Sequence, residues 1–281
     1  MEDLRLNRRL AFVVLFLLCG LLIFVAPHFL QNEAQVIAQV CIAVAFFLFA
    51  VWLHMREPRS NYFYVTFAFF IGSFVTLLEI LVQLSGVVSL STVDGMFLSQ
   101  IMSTLVVVVP IVLLTRVSGT DLGGIYLQRG RLRLGLLVGL GPFLFMLILI
   151  LAFPAGLRYA STLFSISEDL TYERLLSLMP MVVAFVVLNG FKEKLLNRGI
   201  FLKKFETFLG AWPSNILTAF VFTATHIGVE YTPVLLVFLG ITFLLALAWG
   251  YVMQKTDSII GSALFHGAMD ITIILGIFSY L

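Results

Sequence analysis

Residues 258–280 read SIIGSALFHGAMDITIILGIFSY, and this stretch decides the fold. It is apolar and long enough to cross the hydrocarbon of a bilayer, which takes roughly 20 residues of α-helix. Yet it carries His266 and Asp270 near its centre. Side chains four residues apart project from one helix face, so the two enter one space. Gly261, Ala263, Gly267 and Ala268 leave room beside them for close helix contact or a water pocket. Ionisable groups at membrane depth are expensive unless paired or wetted. Two of them on one face are poorly explained by packing, so the pair is a candidate site.

Outward from this segment the chain repeats the pattern of membrane-length runs. Of its 281 residues 61% are hydrophobic and 11% charged, where a soluble domain is about half apolar and about a quarter charged. The mean hydropathy is +1.09. The expected fold is all-α, a polytopic transmembrane helical bundle of about eight to nine membrane helices, with a catalytic-type bundle at its C-terminal end. The spans read as Leu10–Leu30, Gln35–Met55, Tyr62–Gly86, Gly95–Thr115, Leu134–Pro154, Leu175–Phe191 and onward, Pro213–Gly228, Thr232–Gln254 and Ser258–Tyr280. Arg5, Arg8 and Arg9 ahead of the first run, with no small-x-small cleavage site, fit an uncleaved first helix rather than a signal peptide.

Loop charges alternate along the chain. Arg56, Arg59, Arg116, Arg129, Arg131, Arg133, Lys192, Lys194, Arg198, Lys203, Lys204 and Lys255 fall on the side of the N-terminus. Glu33, Asp94, Glu168, Asp169, Glu173 and Glu230 fall opposite, with only Arg158 and Arg174 against them. Basic loops stay in the cytoplasm, which predicts a cytoplasmic N-terminus and an external C-terminus. Short loops and the lack of targeting extensions favour a prokaryotic plasma membrane. Loop length divides the chain into a four-helix region at 1–116, a glycine-rich cytoplasmic interface loop at 117–133 and a C-terminal core at 134–281. The external loop Ala155–Arg174 has room for a short amphipathic helix. Cys19 and Cys41 sit inside apolar runs and read as small buried hydrophobes. No basic patch interleaved with aromatics and no zinc-finger spacing points to nucleic acid. The partners expected are the lipid bilayer and a membrane-associated protein or peptide.

Two further polar clusters lie in the C-terminal part: Glu193-Lys194-x-x-x-Arg198 and Phe222-x-x-x-His226. Each alone has a plain explanation. The first fits a basic helix end with snorkelling cations, and the second a packed histidine bonded to a carbonyl. On an α-helix Glu193 shares a face with Asn197, whose amide is placed to hold the carboxylate, and Lys194 shares one with Arg198. Together with His266 and Asp270 the clusters suit hydrolysis. A carboxylate and an imidazole hold and deprotonate a water, and a second polar pair stabilises the oxyanion formed when water attacks a carbonyl. A carboxylate such as Asp270 accepts hydrogen bonds and orients an imidazole. A His-His-carboxylate set also suits zinc. Glu79 is the ionisable residue at depth in the first four spans. With Glu193 and the histidines it leaves a proton-coupled carrier as another reading, although no repeated halves are visible.

The order of these motifs resembles the CPBP family, which includes the type II CAAX prenyl endopeptidases and bacterial immunity-like members. The resemblance runs over roughly Leu175–Leu281, with a weaker echo in Asp121-Leu-Gly-Gly. Glu193, Arg198 and Gly199 match motif one, Phe222 and His226 motif two, and His266 and Asp270 motif three. What the resemblance implies is an intramembrane glutamic endopeptidase that cleaves a membrane-associated, C-terminally tagged or lipidated protein. Glu193 and His226 would activate water, His266 and Asp270 would support the oxyanion, and Lys194, Asn197, Arg198 and Phe222 would support the site. No cofactor is implied, with zinc the minor alternative. This chain departs from the motif at Lys194, which stands where the family usually has a second Glu. That substitution gives the alternative: a catalytically impaired CPBP-like scaffold or regulator that binds a partner protein.

Overall fold

The computed structural model describes residues 2–153, 166–230 and 232–281, with side chains from Asn7 onward. Every described regular element is helical: α1 (Glu2–Phe24), α2 (Asn32–Arg56), α3 (Asn61–Leu84), α4 (Val93–Val117), α5 (Leu132–Ala152), α6 (Tyr172–Lys194), a π turn (Leu195–Gly199), α7 (Leu202–Leu209), α8 (Ala211–Ala224), α9 (Leu235–Thr256) and α10 (Ile260–Ser279). Short 3-10 turns occupy Ala26–Phe29 and Leu122–Ile125. Among the described residues eight stretches are long and apolar enough to cross a membrane, and Tyr172–Leu209 counts as one of them. The chain is therefore an integral membrane protein. α8, at 14 residues, falls short of the roughly 20 needed to span. That accounts for the difference from the nine runs read by hydropathy. Most of the loop 155–174 anticipated to hold an amphipathic helix lies outside the described residues.

The described chain forms two compact units that interleave along the sequence. One comprises Met1–Ser85, Val106–Leu127 and Leu195–His226, the other Gly86–Leu105, Gln128–Lys194 and Ile227–Leu281. Compactness thus follows different lines from loop length.

In the first unit α2 packs along α3. Buried Gln39 donates from Nε2 to the Ser73 carbonyl at 2.9 Å, so a polar side chain within an apolar helix finds a partner on the next. Phe16, Phe69, Phe201 and Phe205 form an aromatic core, with Phe16 and Phe205 stacked at 4.5 Å. Gly72 admits this cluster: a methyl group there would lie 3.0 Å from the Phe201 ring and 3.1 Å from Phe24. The segment 202–209, basic in sequence, is the amphipathic helix α7. It buries Leu202, Phe205 and Leu209, while Lys203 donates to the Gly123 carbonyl at 2.7 Å and lies over the Tyr126 ring.

The second unit is built on α10, the most enclosed of the candidate spans at 67% buried against 17% for α2. It packs on α5 and α6, and glycine makes both approaches possible. A methyl at Gly139 would lie 2.7 Å from the Gly261 carbonyl oxygen, and one at Gly190 would lie 2.4 Å from that of Ala263. Phe143, Val182, Val186, Ala268, Ile271 and Leu275 fill the core between these helices. Gly130, at φ +49°, turns the chain so that Arg131 N–H reaches the Thr256 carbonyl at 2.6 Å. Ser258 Oγ donates to the Gln128 carbonyl at 2.8 Å. These bonds fix the turn from which α10 starts.

Candidate active site

The polar centre of the second unit lies where α6 and α10 approach most closely. His266, 3% exposed, turns Nε2 toward two carboxylates, Asp270 Oδ1 at 3.2 Å and Glu193 Oε2 at 3.7 Å. Asn189 ties the carboxylates together: its Nδ2 donates to Glu193 Oε1 at 3.1 Å and to Asp270 Oδ2 at 3.0 Å. An amide nitrogen has two hydrogens, and here each serves one carboxylate. Gln100 of α4 donates in turn to Asn189 Oδ1 at 3.4 Å, which aims the amide nitrogen at the acids. Nearby, Lys192 donates to Ser103 at 2.9 Å. Two acceptors held by one donor and faced by an imidazole form a connected polar network, the kind that stays fixed in low dielectric.

Lys194 also belongs to this unit. Its side chain is fully buried, with Nζ 3.7 Å from the centroid of the Trp249 ring. Trp249, on α9, stacks on His266 with centroids 4.4 Å apart.

The remaining predicted residues lie in the first unit, and the boundary between units falls between Lys194 and Leu195, inside the first motif. His226 follows the C-terminus of α8. The last carbonyls of a helix lack intrahelical partners, and the Phe222 carbonyl is such an acceptor. The backbone N–H of His226 bonds to Thr223 instead. The Phe222 oxygen takes Thr225 Oγ1 at 2.7 Å and His226 Nδ1 at 2.9 Å. A carbonyl only accepts, so Nδ1 carries the hydrogen and Nε2 keeps the lone pair of the neutral ring. Phe222 also lies against the imidazole at 4.7 Å. The four-residue spacing of this motif therefore sets a tautomer through the backbone.

Arg198 is fully buried and donates from Nη1 to Asn215 Oδ1 at 2.9 Å. Its Nε and Nη2 find no hydrogen-bond partner among the described residues. Asn197 borders a small aromatic cavity with Phe16, Phe24 and Phe201. Residues 195–199 form a π turn, so four-residue spacing counted across it does not follow the α-helical face. An amide does hold Glu193, and it is Asn189, one turn earlier. No group of three or more His, Cys, Asp and Glu side chains among the described residues is arranged to hold a metal ion.

Asn189, Gln100 and Trp249 were not singled out from sequence. The signal for Asn189 was present: it is four residues before Glu193 on an apolar helix, the same spacing that joins His266 to Asp270. Gln100 and Trp249 carry no such signal, since each is one polar or aromatic residue in a long apolar run.

Residues 175–272 match a family model described as Rce1-like, type II CAAX prenyl endopeptidase Rce1-like. The match takes in all three motifs and supports the CPBP resemblance. No curated protein and no solved structure matches the chain.

Proposed function

We propose, from the premise that residues 175–272 carry an Rce1-like type II CAAX prenyl endopeptidase domain in an integral membrane protein, that this chain is an intramembrane glutamic endopeptidase. The observation that carries the reading is Asn189 holding Glu193 and Asp270 together against His266. Glu193 is the general base: it takes a proton from water as the oxygen attacks the peptide carbonyl carbon. The carbon–nitrogen bond then breaks, and the proton passes from the Glu193 carboxyl to the leaving amine. His226 assists in activating the water, the role that the family motif gives it. His266 and Asp270 act together on the oxyanion side, with Asp270, 3.2 Å from Nε2, fixing the orientation of the ring. The substrate is a membrane-associated or C-terminally tagged protein. No cofactor takes part. The membrane is a prokaryotic plasma membrane, with the N-terminus in the cytoplasm.

Lys194 favours a second reading, a catalytically impaired CPBP-like scaffold or regulator that binds a membrane protein. One experiment separates the two. Purified chain in nanodiscs is incubated with a panel of membrane-anchored and C-terminally tagged peptides, with and without chelator, beside Glu193→Gln and His226→Ala. The proteolytic reading expects cleavage that both substitutions abolish and chelator leaves intact. Loss with chelator assigns the site to zinc. Cleavage that survives Glu193→Gln refutes the glutamic mechanism.

A further inference from the structure

We infer that Trp249 is a positioning residue of this site: its indole carries both the Lys194 ammonium and the His266 imidazole, so residue 194 acts on His266 through a ring. The inference rests on the proteolytic reading for its consequence, and on geometry alone for its existence.

Lys194 is fully buried, and its Nζ lies 3.7 Å from the indole centroid. A cation over an aromatic face is drawn by the ring's quadrupole, most strongly to tryptophan and when water is excluded. Trp249 is itself 3% exposed. Its plane lies 23° from that of His266 with centroids 4.4 Å apart, and Phe265 meets it edge-on at 6.3 Å. The imidazole is thus held twice. Its Nε2 edge is aimed at Asp270 and Glu193, and its face rests on the indole. A ring held only at its edge still pivots about the bond to Cβ. One held at edge and face keeps Nε2 where the carboxylates are.

This gives the lysine a place in the site that a carboxylate would not fill. The face of an indole is the negative side of its quadrupole, so an acid at 194 would be repelled where the ammonium is attracted. Lys194→Glu restores the usual motif residue, yet here it should loosen the indole and with it His266. Lys194→Arg keeps the cation over the ring.

The test uses the full chain in nanodiscs. Trp52→Phe with Trp212→Phe leaves Trp249 as the single tryptophan of the three, which makes its fluorescence specific. In that background, removing the stacked imidazole with His266→Ala raises the Trp249 emission. Removing the charge with Lys194→Met shifts the emission maximum. On the cleavage side, Trp249→Leu lowers kcat roughly tenfold or more with KM unchanged, as loss of orientation does. Trp249→Phe, which keeps a ring, falls between. Lys194→Glu lowers kcat in the wild type and adds nothing in Trp249→Leu. Emission unmoved by both His266→Ala and Lys194→Met overturns the inference. So does a gain of activity in Lys194→Glu, or additive losses in the double variant. Emission that responds in a chain that cleaves nothing upholds the ring stack and removes the proteolytic reading instead.

Discussion

Replacing Gly190 with alanine is expected to part α6 from α10 at the point where their polar residues meet. The added methyl carbon would lie 2.4 Å from the Ala263 carbonyl oxygen and 3.2 Å from the Gly267 nitrogen. Both are backbone atoms, so no side chain can rotate away. A carbon–oxygen contact settles near 3.3 Å, so the helices must separate by about 0.9 Å. The Asn189–Asp270 hydrogen bond spans 3.0 Å between the same helices. Opened by that amount it reaches about 3.9 Å, beyond any hydrogen bond. Overpacking of this kind costs about 1–3 kcal/mol, and a misplacement of about 1 Å in a catalytic constellation costs about 100-fold in rate. Thermal unfolding in nanodiscs and cleavage of an accepted peptide measure the two effects. Gly141→Ala is the control, because nothing lies within 4 Å of a methyl there. If Gly190→Ala matches wild type in midpoint and rate, the close approach of α6 and α10 does not hold the site together.

Asn215→Ala removes the acceptor of a fully buried guanidinium. It should cost on the order of 3 kcal/mol as a lowered unfolding midpoint, whereas Asn215→Asp, which keeps an acceptor and adds a countercharge, should cost less. Asn189→Asp exchanges the shared donor for a third acid and should lower cleavage by about 100-fold or more with helix content intact by circular dichroism; activity within twofold of wild type would count against the bridging role. Phe222→Leu leaves the backbone carbonyl that sets the His226 tautomer, removes the ring contact, worth about 1 kcal/mol, and shrinks a fully buried side chain. It should reduce cleavage less than tenfold, and complete inactivation with the unfolding midpoint unchanged would show that the ring rather than the carbonyl governs His226.

Much of this was legible in the sequence wherever periodicity and composition carry the information. Membrane helices announce themselves by length, because each must satisfy its own backbone in lipid. His266 and Asp270 meet because a helix repeats every 3.6 residues, and the structure brings them within 3.2 Å. The region 192–212 was harder. Hydropathy counts apolar residues and not backbone turns, so it passes over the π turn at 195–199 and reads the 14-residue helix α8 as a membrane run of its own, Pro213–Gly228. The amphipathic helix α7 also falls in this region, where Lys203 and Lys204 lower the mean hydropathy of an otherwise half-buried turn. Trp249 was invisible for another reason. Its role comes from α9 lying beside α10, a tertiary fact that no local pattern encodes. The small residues did carry a legible signal: Gly261 and Gly267 mark where backbones approach.

The pair Asn189-Gly190 has a consequence for how long the protein lasts. Asparagine followed by glycine is chemically fragile, since the glycine nitrogen attacks the side-chain amide carbon, expels ammonia and closes a succinimide, which water then opens to an aspartate or isoaspartate. That ring closure needs a backbone shape that an α-helix forbids. Gly190 is pressed against the Ala263 carbonyl inside α6, and both hydrogens of the Asn189 amide are engaged. The helix that aims this residue also keeps it from ageing. A chain left partly unfolded would lose that protection first at this dipeptide, and would come back to the membrane with an acid where its amide had been.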